Sequence, residues 1–293
     1  MVVLLEDLTE TILIENGVSP LLGVSLVTDT LGLSWKSMER MFVKCASEFS
    51  RSKPKEDEIL IESGTQATLP ENFISLKAVR YGILMEYPRY IFEKLTEEGL
   101  QWNPSTRTLK VFPPIGSVRV SFTRGLNITN NVLITDTFYT VEGEDIIEDM
   151  MRATYRPNTL SIIKNGKTME EVSRSDTEVE LNGELGSGTL NLTTREFTLN
   201  LDDTSAGQVR INYYPKYKAL VDLDMEIGDK IFSKLYAANL LLSISSLMLQ
   251  ATQEPLHNID LTSDDLQARA LALSAEVKKE LKSSISFAAM IGE

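Results

Sequence analysis

The sequence predicts an α+β fold: a helical core with β-hairpins and a closing helical hairpin, plus a small inserted all-β domain. Three observations predict it. Apolar residues recur at helical spacing near both ends of the chain, and apolar–polar alternation broken by turn residues takes over between them. The charge also shifts sharply: residues 126–214 hold seven basic and fifteen acidic residues, a net of −8 out of −13 for the chain. The core is therefore assigned to 1–125 and 215–293, and the insertion to 126–214.

The first segment reads as a helix with Leu4, Leu5, Leu8 and Ile12 on one face, closed by Gly17 in the left-handed position past a helix end. A second helix follows, in which Trp35, Met38, Phe42, Cys45 and Phe49 recur at spacings of three and four as one apolar stripe; it stops before Pro54 in the basic patch Arg51–Lys55. From Glu58 the period changes to two, and "EILIES" and "FISLKAVRY" read as strands across a turn-rich loop. Pro88 and Gly99 frame a short helix.

Two stretches then resemble one another. "TRTLKVFPPIGSVRVSF" from Thr106 and "TREFTLNLDDTSAGQVRINYY" from Thr194 both open on Thr-Arg, alternate, cross a turn and leave on Val-Arg. Each reads as a hairpin, Leu109 and Val111 facing Val118, Val120 and Phe122 in the first. Between them, "EGEDIIEDMMRATYRP" begins as an acidic helix or turn, and Asn165-Gly166 marks a hairpin because both residues tolerate positive φ.

After Pro215 the chain is helical again. Ile227, Ile231, Leu235, Ala238 and Leu242 make one stripe, while Leu240, Leu241, Ile244, Leu247 and Met248 fill the other sides. A helix apolar all round needs cover on more than one face, from its own domain or from a neighbouring copy. Thr262 to Asp265 forms a capping-box-like start to a last helix with Leu266, Ala270, Leu273, Val277 and Leu281 on one face; the apolar tail "ISFAAMIGE" follows.

Composition excludes several chemistries. One cysteine and one histidine, Cys45 and His257, leave no internal disulfide, no Cys-cluster metal site and no paired-histidine centre. Cys45 sits on a helical stripe as a small core residue, and His257 reads as a turn residue beside Pro255. The N-terminus lacks the basic start of a signal peptide, and the longest apolar run falls short of the ~18–20 residues of a membrane span. The carboxylates Glu142, Glu144, Asp145, Glu148 and Asp149 lack the alternating spacing and central glycine of a calcium loop and read as a solvated acidic face. "GELGSGT" lacks the Lys-Ser/Thr of a phosphate loop. The sequence therefore predicts neither catalytic, metal-ligating nor cofactor-binding residues. The acidic balance argues against a phosphate-gripping nucleic-acid reader.

Three pieces carry a resemblance: "LSWKSMERMFVKCASEF" with "LPENFISLKAVRY", then "LQWNPSTRTLKVFPPIGSVRVSF", and the closing pair "IGDKIFSKLYAANLLLSISSLMLQ" and "LTSDDLQARALALSAEVKKELKSS". In this order they resemble the neck, or head-to-tail connector, proteins of tailed bacteriophages with contractile tails. "SGTLNLTTREFTLNLDDTSAGQVRINYYPK" resembles a β unit of virion proteins. The resemblance implies a helical connector core forming a homo-oligomeric ring of about twelve copies, between the portal protein and a tail terminator or second neck protein. It places the protein in the virion neck, and in the host cytoplasm during assembly, with genomic DNA only in transit through the lumen. It makes Leu241, Ile244 and Met248 a subunit interface, and Ile285, Phe287, Met290 and Ile291 a portal-docking tail. Another tail or baseplate structural protein, or a carboxylate-dependent hydrolase, are the alternatives.

Overall fold

The computed structural model describes residues 2–18, 26–61, 66–83, 91–94, 100–103, 105–111, 117–221, 226–250 and 262–290. The chain divides into two compact units, Met1–Val43 with Ile128–Lys278, and Lys44–Asn127 with Lys279–Glu293. Strand makes up 38% and helix 34% of the structure, so the helical connector core expected from the sequence is overturned in favour of a mostly β architecture.

In the first unit, a two-residue strand β1 (Val3–Leu4) leads into α1 (Leu5–Glu15). Gly17, at φ 73°, closes the helix as expected: the amides of Val18 and Gly17 turn back to the carbonyls of Leu13 and Ile14. Helix α2 (Trp35–Ser52) begins in this unit and ends in the other. Its Phe42 meets Phe232 and Tyr236 edge-on, at ring centroids of 5.3 and 5.6 Å, and Tyr236 shares a 3.0 Å hydrogen bond with Thr9 of α1. Phe232 and Tyr236 belong to α3 (Glu226–Gln250). Its segment Lys230–Gln250 is long and apolar enough to cross a membrane, yet 56% of that window is buried within the fold.

The second unit holds two small antiparallel sheets. One is ordered β2 (Lys55–Ile61), β8 (Ser117–Arg124), β4 (Phe73–Ile83) and β5 (Ile91–Lys94); the other is β3 (Gln66–Thr68), β7 (Thr108–Val111) and β6 (Leu100–Asn103). Ile61, Leu69, Leu109, Val120 and Phe122 form its core. Two expectations fail here. Ile91–Lys94, placed in the helix framed by Pro88 and Gly99, is a strand paired with Arg80–Ile83; the two framing residues lie outside the described residues. β7 and β8 are not a hairpin, since they sit in different sheets.

The main body of the first unit is a nearly closed antiparallel sheet of eight strands. Its order is β10 (Ile134–Thr140), β17 (Gly207–Tyr213), β12 (Ser161–Lys164), β13 (Lys167–Arg174), β14 (Glu178–Gly183), β15 (Gly186–Asn191), β16 (Glu196–Leu201) and β11 (Ile146–Met150). It falls inside the 126–214 segment marked out by charge. A separate three-stranded sheet joins β1, β18 (Ala219–Leu220) and β9 (Ile128–Thr129). Alternation decides which faces are buried: Val209, Ile211 and Tyr213 point inward on β17, and Val179 and Leu181 on β14, while Glu178 and Glu180 stay outside. Asn165 and Gly166, at φ 50° and 83°, turn β12 into β13 as the sequence predicts.

The acidic segment opens on a turn at Glu142–Gly143, as expected, and from Ile146 it becomes the strand β11, which pairing with Glu196–Asn200 fixes in the sheet. The second Thr-Arg stretch also corrects its expectation: β16 pairs with β15 and β11, and β17 with β10 and β12.

Helix α4 (Ser263–Met290) starts at the expected cap, where Thr262 Oγ1 accepts the Asp265 amide at 3.2 Å and the Asp265 carboxylate accepts the Thr262 amide at 3.0 Å. Leu266, Ala270 and Val277 are its buried stripe.

Gly186 supplies a sharp test of the sheet. It sits at φ 137°, and a β-carbon there would lie 2.1 Å from the Asn200 carbonyl oxygen on β16. Gly186→Ala should destabilise by about 3 kcal/mol, combining backbone strain with a forced strand shift. Gly143→Ala, at φ 87° in open space, should cost only about 1 kcal/mol. Urea melts of both variants measure the difference; equal losses would contradict the packing described.

Candidate functional site: an acidic seam in the sheet

The edge strands β10 and β11 run antiparallel on either side of residues 141–145 but are not neighbours in the ladder. The turn between them is fixed elsewhere, since the Gly143 amide donates to the Thr204 carbonyl at 2.8 Å and the Leu201 amide to the Asp145 carbonyl at 2.6 Å. A seam is left between the two strands. Tyr139, Val141, Ile146 and Met150 are exposed along it, amid Glu142, Glu144, Asp145, Glu148 and Asp149. Those carboxylates thus lie where the sequence put them, on a solvated face. Among the described residues no three His, Cys, Asp or Glu side chains converge as a metal site.

One end of the seam is closed by buried polar groups. Asp136, on an inward position of β10, accepts the Tyr213 hydroxyl at 2.8 Å and the Arg152 amide at 3.2 Å, both through Oδ2. Its Oδ1 is buried and meets no hydrogen-bond partner among the described residues. Burial pushes this carboxyl above the usual carboxylate range, against the pull of Tyr213 and Arg152.

The next amides are handed to other side chains: Ala153 to the Tyr213 hydroxyl at 3.3 Å, and Thr154 to Glu6 Oε1 at 2.9 Å. Helix α1 grips the same bend through two ion pairs, Asp7 with Arg152 at 2.8 Å and Glu10 with Arg195. Arg195 also donates to the Arg152 carbonyl at 2.6 Å. Nothing in the sequence reading singled out this clamp. Its one local signal is the spacing of Glu6 and Glu10, four apart and therefore on one face of α1.

Other sequence-predicted residues fall elsewhere. Leu241 and Ile244 are fully buried within the chain's own unit, and Met248 is half-buried. Ile285, Phe287 and Met290 lie within α4, which continues to Met290 where the sequence suggested that the last stripe ends at Leu281. Ile291 and His257 lie outside the described residues. Cys45 is buried and its thiol is pushed up to about 12 by that burial, which leaves it unreactive. A cavity of about 430 Å³ between α1, α3 and α4 is lined by Leu8, Ile12, Ala237 and Leu273 together with Glu15 and Lys230. No family model, curated protein or solved structure matches the chain.

Two predictions follow from these placements. Glu6 is 1% exposed, and burial raises its carboxyl from the ordinary 4.5 to about 7. The folded state therefore favours the protonated acid. Stability from this group is fully present below pH 4.5 and is lost as pH rises through 7, by about 3 kcal/mol. Glu6→Gln keeps an oxygen for the Thr154 amide and should flatten the fall in unfolding free energy between pH 4.5 and 7.5. The residual slope then comes from Glu10 and Asp136, whose carboxyls burial also raises.

The second concerns α3. A charge at Leu241 or Ile244 has no water to meet, so Leu241→Asp should abolish the cooperative melt, whereas Met248→Asp should cost about 1 kcal/mol. A soluble, folded Leu241→Asp monomer in circular dichroism would show that this face is not core.

Proposed function

We propose that the chain is a structural virion protein of the phage neck, a ring subunit that joins the portal to the tail and surrounds the DNA path. The observation that supports this reading best is the seam. An almost closed sheet leaves two unpaired edges, and these carry exposed apolar side chains in a field of carboxylates. Such an edge suits contact with another protein, while its charge repels phosphate. A channel passing DNA needs both properties. The closing helical pair fits an assembly part as well: Ser245 and Ser263 hydrogen-bond at 2.9 Å and Lys234 meets Glu276 at 2.9 Å, which ties α3 to α4.

A tail or baseplate structural protein of the same virion is the second reading, favoured by the dominance of the eight-stranded sheet over the helices. Native mass spectrometry and negative-stain imaging separate the two. A ring of about twelve copies that co-sediments with portal assemblies is the expected result. A trimer or hexamer that ignores the portal selects the tail reading, and a monomer at micromolar concentration that binds neither removes the neck assignment.

A further inference from the structure

The directions of the backbone groups on β11 follow from its two neighbouring bonds. The Leu201 amide donates to the Asp145 carbonyl, and the Met151 amide to the Arg195 carbonyl at 3.0 Å. Both residues therefore turn their backbone polar groups toward β16. In an antiparallel ladder these directions alternate, so Ile146, Glu148 and Met150 turn theirs to the seam.

The side chains of the same three residues form one outward row. Ile146 is 48% and Met150 45% exposed, with Glu148 between them. No lysine or arginine occurs from Thr137 to Met151, so nothing nearby in sequence balances the acids. Across the seam, the buried Oδ1 of Asp136 meets no hydrogen-bond partner among the described residues.

We propose that the seam edge of β11 is a docking strand for an extended segment of a partner protein in which apolar residues alternate with lysine or arginine. Strand addition would satisfy the outward amides of Ile146 and Glu148 and the outward carbonyls of β11, the Met150 amide already meeting Asp149 Oδ1 at 2.7 Å. Apolar side chains on one face of the guest would cover Ile146 and Met150, and its cations, on the opposite face, would meet Asp149 and Asp136. A second copy of β11 is the wrong guest, because it would set acid against acid along the whole strand. This rests on the assembly reading above and adds the chemistry of the partner to it.

The test uses the full-length protein and a fluorescein-labelled seven-residue probe, acetyl-Lys-Val-Lys-Val-Lys-Val-Lys-amide. Three controls accompany it: the probe with Glu for Lys, the probe N-methylated at alternate amides, and the double variant Glu148→Lys with Asp149→Lys. Both substituted residues are exposed, so the variant should keep the wild-type circular dichroism and melt. Anisotropy should show the basic probe binding at least about tenfold more tightly than the acidic or N-methylated ones, and losing about tenfold on the double variant. Hydrogen exchange should slow at the Ile146 and Glu148 amides on binding. Equal affinity for the N-methylated probe, or unchanged exchange on β11, would reduce the effect to general charge attraction and overturn the proposal. So would a dimer of the chain that the basic probe dissociates. A ring that forms while the probe fails overturns the docking strand alone; a bound probe without any ring overturns the neck assignment alone.

Discussion

The first unit depends on how one bend of backbone is satisfied. Where the chain leaves β11, three successive amides point away from any ladder: Arg152, Ala153 and Thr154. Each is taken by a buried side chain, Asp136, Tyr213 and Glu6 in turn. Buried amides left without acceptors cost free energy comparable to a lost hydrogen bond each, so the bend is stable only with all three partners in place. Those partners come from β10, β17 and α1, and the bend therefore ties both edges of the sheet to the N-terminal helix. Glu6 bears the cost, since its carboxyl is desolvated to serve one amide. The protonated form relieves that cost, and the exposed Asp7–Arg152 pair adds little in comparison.

Local signals in the sequence were reliable where a few adjacent residues determine the outcome. Gly17, Asn165-Gly166 and the Thr262–Asp265 cap each act through their own backbone and neighbours, and each was placed correctly. The repeated Thr-Arg stretches show the opposite limit. Their likeness is real but lies one step earlier in the chain. Asn103 Oδ1 accepts the amides of Ser105 and Thr106, and Asn191 Oδ1 those of Thr193 and Thr194. Arg107 and Arg195 then take positive φ, 52° and 65°. The shared element is an Asn-led turn that joins β6 to β7 and β15 to β16. The alternation after it was read as a hairpin because period two shows a strand but not its partner. In both cases the following strand crosses to another neighbour.

The misread segments have physical reasons. Ile146–Met150 carries two charges, Glu148 and Asp149, directly after an acidic turn, and its pairing with Glu196–Asn200, Ile147 opposite Leu199, holds it as a strand. Ile91 and Phe92 are β-branched and aromatic, and pairing with β4 outweighs the weak helical frame around them. On α3 the sequence showed that every face needs cover but not who provides it; α1 and α2 do so for the Phe232–Tyr236 side. The seam was partly legible. Ile134, Asp136 and Phe138 share one face by alternation, so an acid at an inward position was visible in the sequence. That its Oδ2 would meet the Arg152 amide was not, because the contact spans the whole turn between the two edge strands.

The charges of the first unit are sorted by their surroundings. Glu6, Glu10 and Asp136 point to the interior and meet amides, a hydroxyl or a guanidinium, while Glu148 and Asp149 point to solvent beside exposed apolar groups. The outward acids on β11 keep a short edge strand from adding to its own copies, a recognised means of avoiding aggregation. Repulsion of that kind is selective rather than absolute. It raises the cost of an acidic or neutral strand and lowers that of a basic one, so the same residues that protect the edge define what could cover it. Ile146 and Met150 add the complementary constraint, since their exposure is costly until a guest buries them. An edge designed only for solubility would carry charge at those two positions as well. The mixture of apolar and acidic side chains on a strand whose backbone groups face outward is the reason to regard the seam as a contact surface and not only as a protected edge.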